Sequence, residues 1–159
     1  MQLTVIAVGK IKQRFVADGI AEFTKRIRRY ANLEVREAKE QPYKEPIGLA
    51  KQEQVLAVEQ GRILKLIPPG SFVVALDICG VELSSVEFSE RIEGLMLSGR
   101  SHITFLIGGS LGLARGLLEK CEARLSFGPM TFPHELMRLV LLEQLYRSFT
   151  IIRGEPYHK

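Results

Sequence analysis

A chain of 159 residues with 46% apolar and 25% charged residues can bury about two-thirds of its unfolded surface in one core, so it needs no disulfide or metal staple. The six-residue apolar run at 3–8 is too short for a signal peptide or a membrane span, and no later segment approaches the roughly eighteen uncharged apolar residues a span requires, which predicts a cytoplasmic protein with no membrane partner. The net charge of +4 comes entirely from residues 1–40, with nine Lys/Arg against five Asp/Glu, because the remainder holds thirteen of each. This excess is densest at Lys25, Arg26, Arg28 and Arg29, and suits either a polyanion such as RNA or a solvated helix face.

LTVIAV (3–8) is a continuous, β-branched apolar run, the pattern of a strand buried on both faces. Gly9-Lys10 leads into a helix whose apolar positions are Phe15, Ile20, Phe23, Ile27 and Tyr30, and LEVREA (33–38) forms a second strand. KEQPYKEP (39–46) is a polar loop. A helix over roughly 47–66 follows, with Leu49, Leu56, Ile63, Leu64 and Ile67 facing inward, and Pro68-Pro69-Gly70 stops it. SFVVAL (71–76) is a strand, 77–80 a turn, and Ser84-Ser85-Val86-Glu87 a capping box for a helix that ends at Gly99. HITFLI (102–107) is a further buried strand, followed by Gly108-Gly109-Ser110-Leu111-Gly112, a short helix to about Cys121 and a last strand over 123–127. Strands alternating with helices predict a single α/β domain whose mainly parallel sheet is covered on both faces.

In such sheets ligands gather at the carboxyl ends of strands. Leu76-Asp77, Gly108-Gly109 and the segment from Phe127 to Phe132 meet that description. Gly108 to Gly112 also matches G-x-S-x-G, the nucleophile elbow of α/β-hydrolases. Both aspartates, Asp18 and Asp77, precede Ser110, so the triad order fails unless Glu119 or Glu122 serves, and the glycines are better read as allowing close backbone approach or a turn. His102, His134 and His158 lie at unrelated spacings, and Cys79 and Cys121 are far apart, which predicts no metal and two small core hydrophobes. Thr131 is a candidate N-cap for the last helix, which starts Pro133-His134-Glu135 and leaves almost no polar face from Leu136 to Leu145. A helix apolar all round is buried, and in so small a chain a homodimer interface is the simplest cover.

IAVGK at the start, IGGSLG, LSFGPMTFPHELMRLVLLEQLYR and the terminal RGEPYHK together resemble the ribosomal RNA large subunit methyltransferase H family, of the SPOUT class, over the whole chain. The resemblance implies one SPOUT domain over 1–159, with a trefoil knot in about 103–159, acting as a homodimer. It also implies S-adenosylmethionine as methyl donor, and as substrate N3 of a pseudouridine in helix 69 of 23S rRNA on the assembled ribosome. Carried onto this chain, donor binding falls to Leu76, Gly108, Phe127, Gly128, Pro129, Met130, Thr131 and Phe132, and catalysis to Arg138, Tyr157 and His158, with Arg153 near the substrate. His158 is the tail's one histidine, the residue type used most often to take a proton in catalysis, which suits proton removal from a pyrimidine N–H. Arg138 offers charge for the developing anion, or Arg138 and Arg147 simply pair with Glu135 and Glu143. A SPOUT enzyme for another RNA such as tRNA, and a ribosome assembly factor without turnover, are the alternatives.

Overall fold

The computed structural model describes residues 1–158. Five strands form one sheet: β1 (Gln2–Val8), β2 (Asn32–Ala38), β3 (Phe72–Glu82), β4 (His102–Ile107) and β5 (Ala123–Ser126). Their spatial order is β2-β1-β4-β3-β5 and every pair is parallel. The connecting helices are α1 (Arg14–Ile27), α2 (Leu49–Leu64), α3 (Ser85–Leu97), α4 (Arg115–Leu118) and α5 (His134–Ile152). The α/β architecture with a parallel sheet covered on both faces is as the sequence predicts.

Strand alternation sorts the core into two layers. Leu3, Val5 and Ala7 of β1, with Ile103, Phe105 and Ile107 of β4, pack against α1, α3 and α5. Ile6, Val8 and Leu106 face the other way, onto Ile63 of α2 and Leu117 of α4. The two central strands therefore need apolar residues at nearly every position, the buried Thr4 and Thr104 excepted, which is why they read as apolar runs. His102 at the start of β4 bonds through Nε2 to the buried Thr4 hydroxyl at 2.9 Å, a structural role. The capping box of α3 is complete: Glu87 N–H donates to Ser84 Oγ at 3.2 Å and Ser84 N–H to Glu87 Oε2 at 2.7 Å.

Several local expectations are corrected. In α1 the buried line is Val16, Ile20 and Ile27, and Phe15 is 65% exposed, because it sits about 100° round the helix from Val16. In α2 the inward line is Val55, Glu59 and Ile63, not Leu49 and Leu64, which are exposed. Leu64 lies about 100° round the helix from the buried Ile63, and Leu49 stands in the first turn, ahead of the buried line. Residues 77–80 are not a simple turn, since β3 continues to Glu82: Leu76 and Val81 both pair with Leu125, and the residues between them bulge from the ladder. Gly80 permits this, as a Cβ there would lie 2.7 Å from the carbonyl carbon of Leu125. Cys79 rides on the bulge and is exposed, not core. Cys121 is half-buried, and burial pushes its thiol up to about 11.

Candidate functional site

The order β4-β3-β5 places three predicted loops side by side at the carboxyl edge of the sheet. Gly108 leaves β4 and is buried, and a Cβ on it would collide with the Gly112 carbonyl. Gly112 N–H donates to Gly109 O at 3.0 Å, closing the turn on itself. Only a residue without a side chain fits there, so the loop presents backbone rather than side chains. Leu76 is half-buried in β3 just before the bulge, where Asp77 approaches Arg124 at 3.6 Å. After β5, Gly128 N–H donates to Ser126 Oγ at 3.1 Å and Phe127 packs on the core. Pro129 and Thr131 are exposed, Met130 is 73% exposed and Phe132 half-buried.

A cavity of about 330 Å³ opens beside Phe127 and Gly128, bounded by Leu83, Ser84, Phe88 and Gln144. A larger groove of about 1100 Å³ lies along β5 between α3 and α4 and includes both cysteines. Neither contains Leu76 or Gly108. Of the three strand-end loops, the smaller cavity is lined by the one after β5. Ser110 is exposed and its hydroxyl is 2.9 Å from the Tyr43 hydroxyl, so this serine is engaged by a tyrosine, not by the histidine a hydrolase requires.

Thr131 does not cap α5: the N-cap is Pro133, with no side-chain cap bond. Proline's fixed φ starts the helix without one. The first turn of α5 instead clamps the β1–α1 connection. Arg138, 1% exposed, donates from Nη2 to the carbonyls of Val8 at 2.6 Å and Gly9 at 2.8 Å, and from Nη1 to Glu37 at 3.2 Å. Its Nε finds no partner among the described residues. Burial works against the charge on Arg138 and Glu37 restores part of it. One turn earlier, the Glu135 carboxylate accepts the amides of Lys12 at 2.7 Å and Gln13 at 3.3 Å, which hold it below the usual carboxylate range. His134 stands beside Gly9, its Nε2 3.4 Å from where a Cβ would be.

The tail sits elsewhere. Tyr157 Oη donates to Glu143 Oε1 at 3.0 Å, its ring meets Tyr146 edge-on at 4.8 Å, and Arg147 lies 4.8 Å over it. Arg147 also bonds Glu143 and lies 3.4 Å from His158 Nδ1. Glu155 accepts the Tyr30 hydroxyl at 2.5 Å, and burial followed by that bond pushes Tyr30 up to about 12. Tyr157 and His158 are thus brought together on Arg147 and Glu143, while Arg138 is nine residues up the helix, about 13 Å along its axis. Arg153 is exposed at the end of α5. Arg26 and Arg29 flank this tail, Arg26 5.6 Å over both Phe23 and Tyr146 and Arg29 5.7 Å over Tyr30. The i,i+4 pairing of Arg147 with Glu143 is as the sequence predicts; that this pair also holds the tail is what sequence reasoning missed.

Comparison with known proteins matches residues 1–158 to the family described as "Predicted SPOUT methyltransferase". The ribosomal RNA large subunit methyltransferase H of Carboxydothermus hydrogenoformans is 54% identical over 159 residues, covering all of both chains. The chain belongs to this family of SPOUT methyltransferases. The same-named protein of Acetivibrio thermocellus is 46% identical, again over the full length of both. In fold the chain is similar to a probable methylase family protein from Haemophilus influenzae, with TM-score 0.53 at 11% identity, covering 99% of this chain and 70% of that one. Among the described residues no helix is long and apolar enough to cross a membrane, and no cluster of His, Cys, Asp or Glu offers a metal site.

Proposed function

We propose that this chain is an S-adenosylmethionine-dependent rRNA methyltransferase that methylates N3 of a pseudouridine in helix 69 of 23S rRNA on the assembled ribosome, as a cytoplasmic homodimer with a knotted C-terminal region. The full-length likeness to relatives named ribosomal RNA large subunit methyltransferase H carries the reading. The strand-end loops fit the donor: its purine, ribose and amino-acid parts need apolar walls and backbone polar groups. Leu76, Phe127 and Met130 supply the first, and the backbone around Gly108 and Gly128 to Phe132 the second. The cavity beside Phe127 falls in the range of small-ligand pockets. The donor, when bound, supplies a methyl group on a sulfonium leaving group. The chain's own task is to align the acceptor nitrogen and take its proton.

His158 is the group assigned to that proton. Arg147 approaches its Nδ1, and Tyr157 and Glu143 fix the guanidinium in turn. The positive charge beside the reacting base is therefore assigned to Arg147, and Arg138 becomes a positioning residue through the β1–α1 connection. The half-exposed residues Leu136, Val140 and Ile151 lie along one side of α5, outside the core of the single chain, which supports a homodimer built on that helix. The exposed arginines around the tail support an RNA partner.

The test is methyl transfer from labelled donor to assembled ribosomes, free large subunits and tRNA from cells lacking the enzyme, read by nucleoside mass spectrometry. Methylpseudouridine in ribosomes alone is the expected result. Label in tRNA alone would replace the substrate, and donor binding without any label would favour an assembly factor.

A further inference from the structure

Glu59 is a carboxylate 4% exposed on the otherwise apolar inward line of α2, and nothing above uses it. Its Oε1 accepts the amide of Gln41 at 2.9 Å. On the other side it meets the glycine loop, Oε2 lying 3.6 Å from where a Cβ of Gly109 would be. Arg62, one turn further along α2, donates to the Lys39 carbonyl and to Gln41 Oε1, each at 2.8 Å. The segment 39–48 is thereby pinned at its root. Its outer part is pinned at Tyr43, whose hydroxyl is 2.9 Å from that of Ser110 in the glycine loop.

Topology gives this segment its position. The chain leaving β1 goes to β2 on one side, whereas the chain leaving β4 goes toward β5 on the other. Adjacent parallel strands whose connections part in this way form the crevice in which α/β sheets hold ligands. The segment starts at the end of β2 and reaches the loop after β4, so it crosses the end of β1 and spans that crevice. An amide acceptor alone would satisfy Gln41; a buried carboxylate is costly to ionise. Burial pushes the Glu59 carboxyl up, with Glu40 adding to it and the Gln41 amide and Arg62 opposing.

We propose that segment 39–48 is a wall of the methyl-donor site, fixed against the glycine loop by Tyr43 and Glu59 as positioning residues. The inference rests on the reading that the glycine loop binds the donor. Donor affinity then depends on groups outside the three strand-end loops.

The experiment is calorimetric titration of S-adenosylmethionine into wild type, Tyr43→Phe, Ser110→Ala, the double variant, Glu59→Gln and Glu59→Ala, with kcat and donor KM measured on ribosomes. Each single loss of the Tyr43–Ser110 bond is expected to weaken donor binding about fivefold, the scale of one hydrogen bond, with kcat at saturating donor within about twofold. The double variant should bind no more weakly than the weaker single one, since one bond is lost once. Glu59→Gln keeps an acceptor for the Gln41 amide and should bind about as wild type, with Glu59→Ala about tenfold weaker. Unchanged affinity in both Tyr43→Phe and Ser110→Ala, or losses that add in the double variant, would overturn the proposal even if Glu59→Ala does not fold. Wild type that binds no donor would remove the donor reading of the glycine loop, and the wall with it.

Discussion

The two ends of α5 carry the same kinds of residue in opposite circumstances. At its start, Arg138 is buried among backbone carbonyls and Glu135 is committed to backbone amides. Further along, Arg147 and Glu143 bond only side chains, each other's, that of Gln144 and those of a short tail, and His158 is exposed. The first end bolts the helix to the strand that founds the sheet. The second leaves its charges nearer the surface, on side chains alone. Two arginines of one helix thus differ in whether their hydrogen bonds go to backbone or to side chains.

Removing the bolt gives the largest expected effect. Arg138→Met leaves the half-exposed Glu37 without its partner and the carbonyls of Val8 and Gly9 without theirs, a loss of about 3 kcal/mol on the scale of buried acceptors left unpaired. Urea denaturation measures it, and a loss below about 1 kcal/mol would move Arg138 out of the scaffold. At the other end, His158→Ala should cut methyl transfer about 100-fold while leaving the urea midpoint in place. A variant that loses stability and activity together would erase the contrast.

Smaller effects sharpen it. Glu135→Ala should cost about 1 kcal/mol, the value of a lost N-terminal cap. Because Lys12 and Gln13 hold the Glu135 carboxyl below its ordinary range, that contribution is present at neutral pH and lost as the pH falls through the depressed value. Denaturation of wild type and variant at neutral and acid pH should therefore converge. Glu59 has the opposite sign. Its raised carboxyl contributes stability below the ordinary carboxylate value and loses it as the pH rises through the folded one, so Glu59→Gln should flatten that slope.

The sheet was legible in the sequence because β1 and β4 are buried on both faces and admit no polar interruption apart from Thr4 and Thr104. The strand-end loops were legible for a related reason: each apolar run stops at glycine or at a polar turn. Helix faces were less so. Phe15 sits one position, about 100°, round from the buried Val16, Leu49 is exposed in the first turn of α2, and bulk alone drew them inward. Glu59 was invisible because a carboxylate in an apolar line reads as solvent-facing until loop 39–48 is seen to cover it. The contacts of Arg138 were not legible because nothing in its local sequence reveals that its partners, Val8 and Gly9, lie about 130 positions earlier in the chain.

The division between donor loops and catalytic tail is tested most directly by titrating S-adenosylmethionine into wild type, Gly108→Ala and His158→Ala, each with its melting curve. The account predicts that His158→Ala binds donor as wild type does, while Gly108→Ala, whose new Cβ meets the Gly112 carbonyl, binds at least about tenfold more weakly. Equal loss of donor binding in both variants with folding intact would contradict it, because the tail would then be part of the donor site.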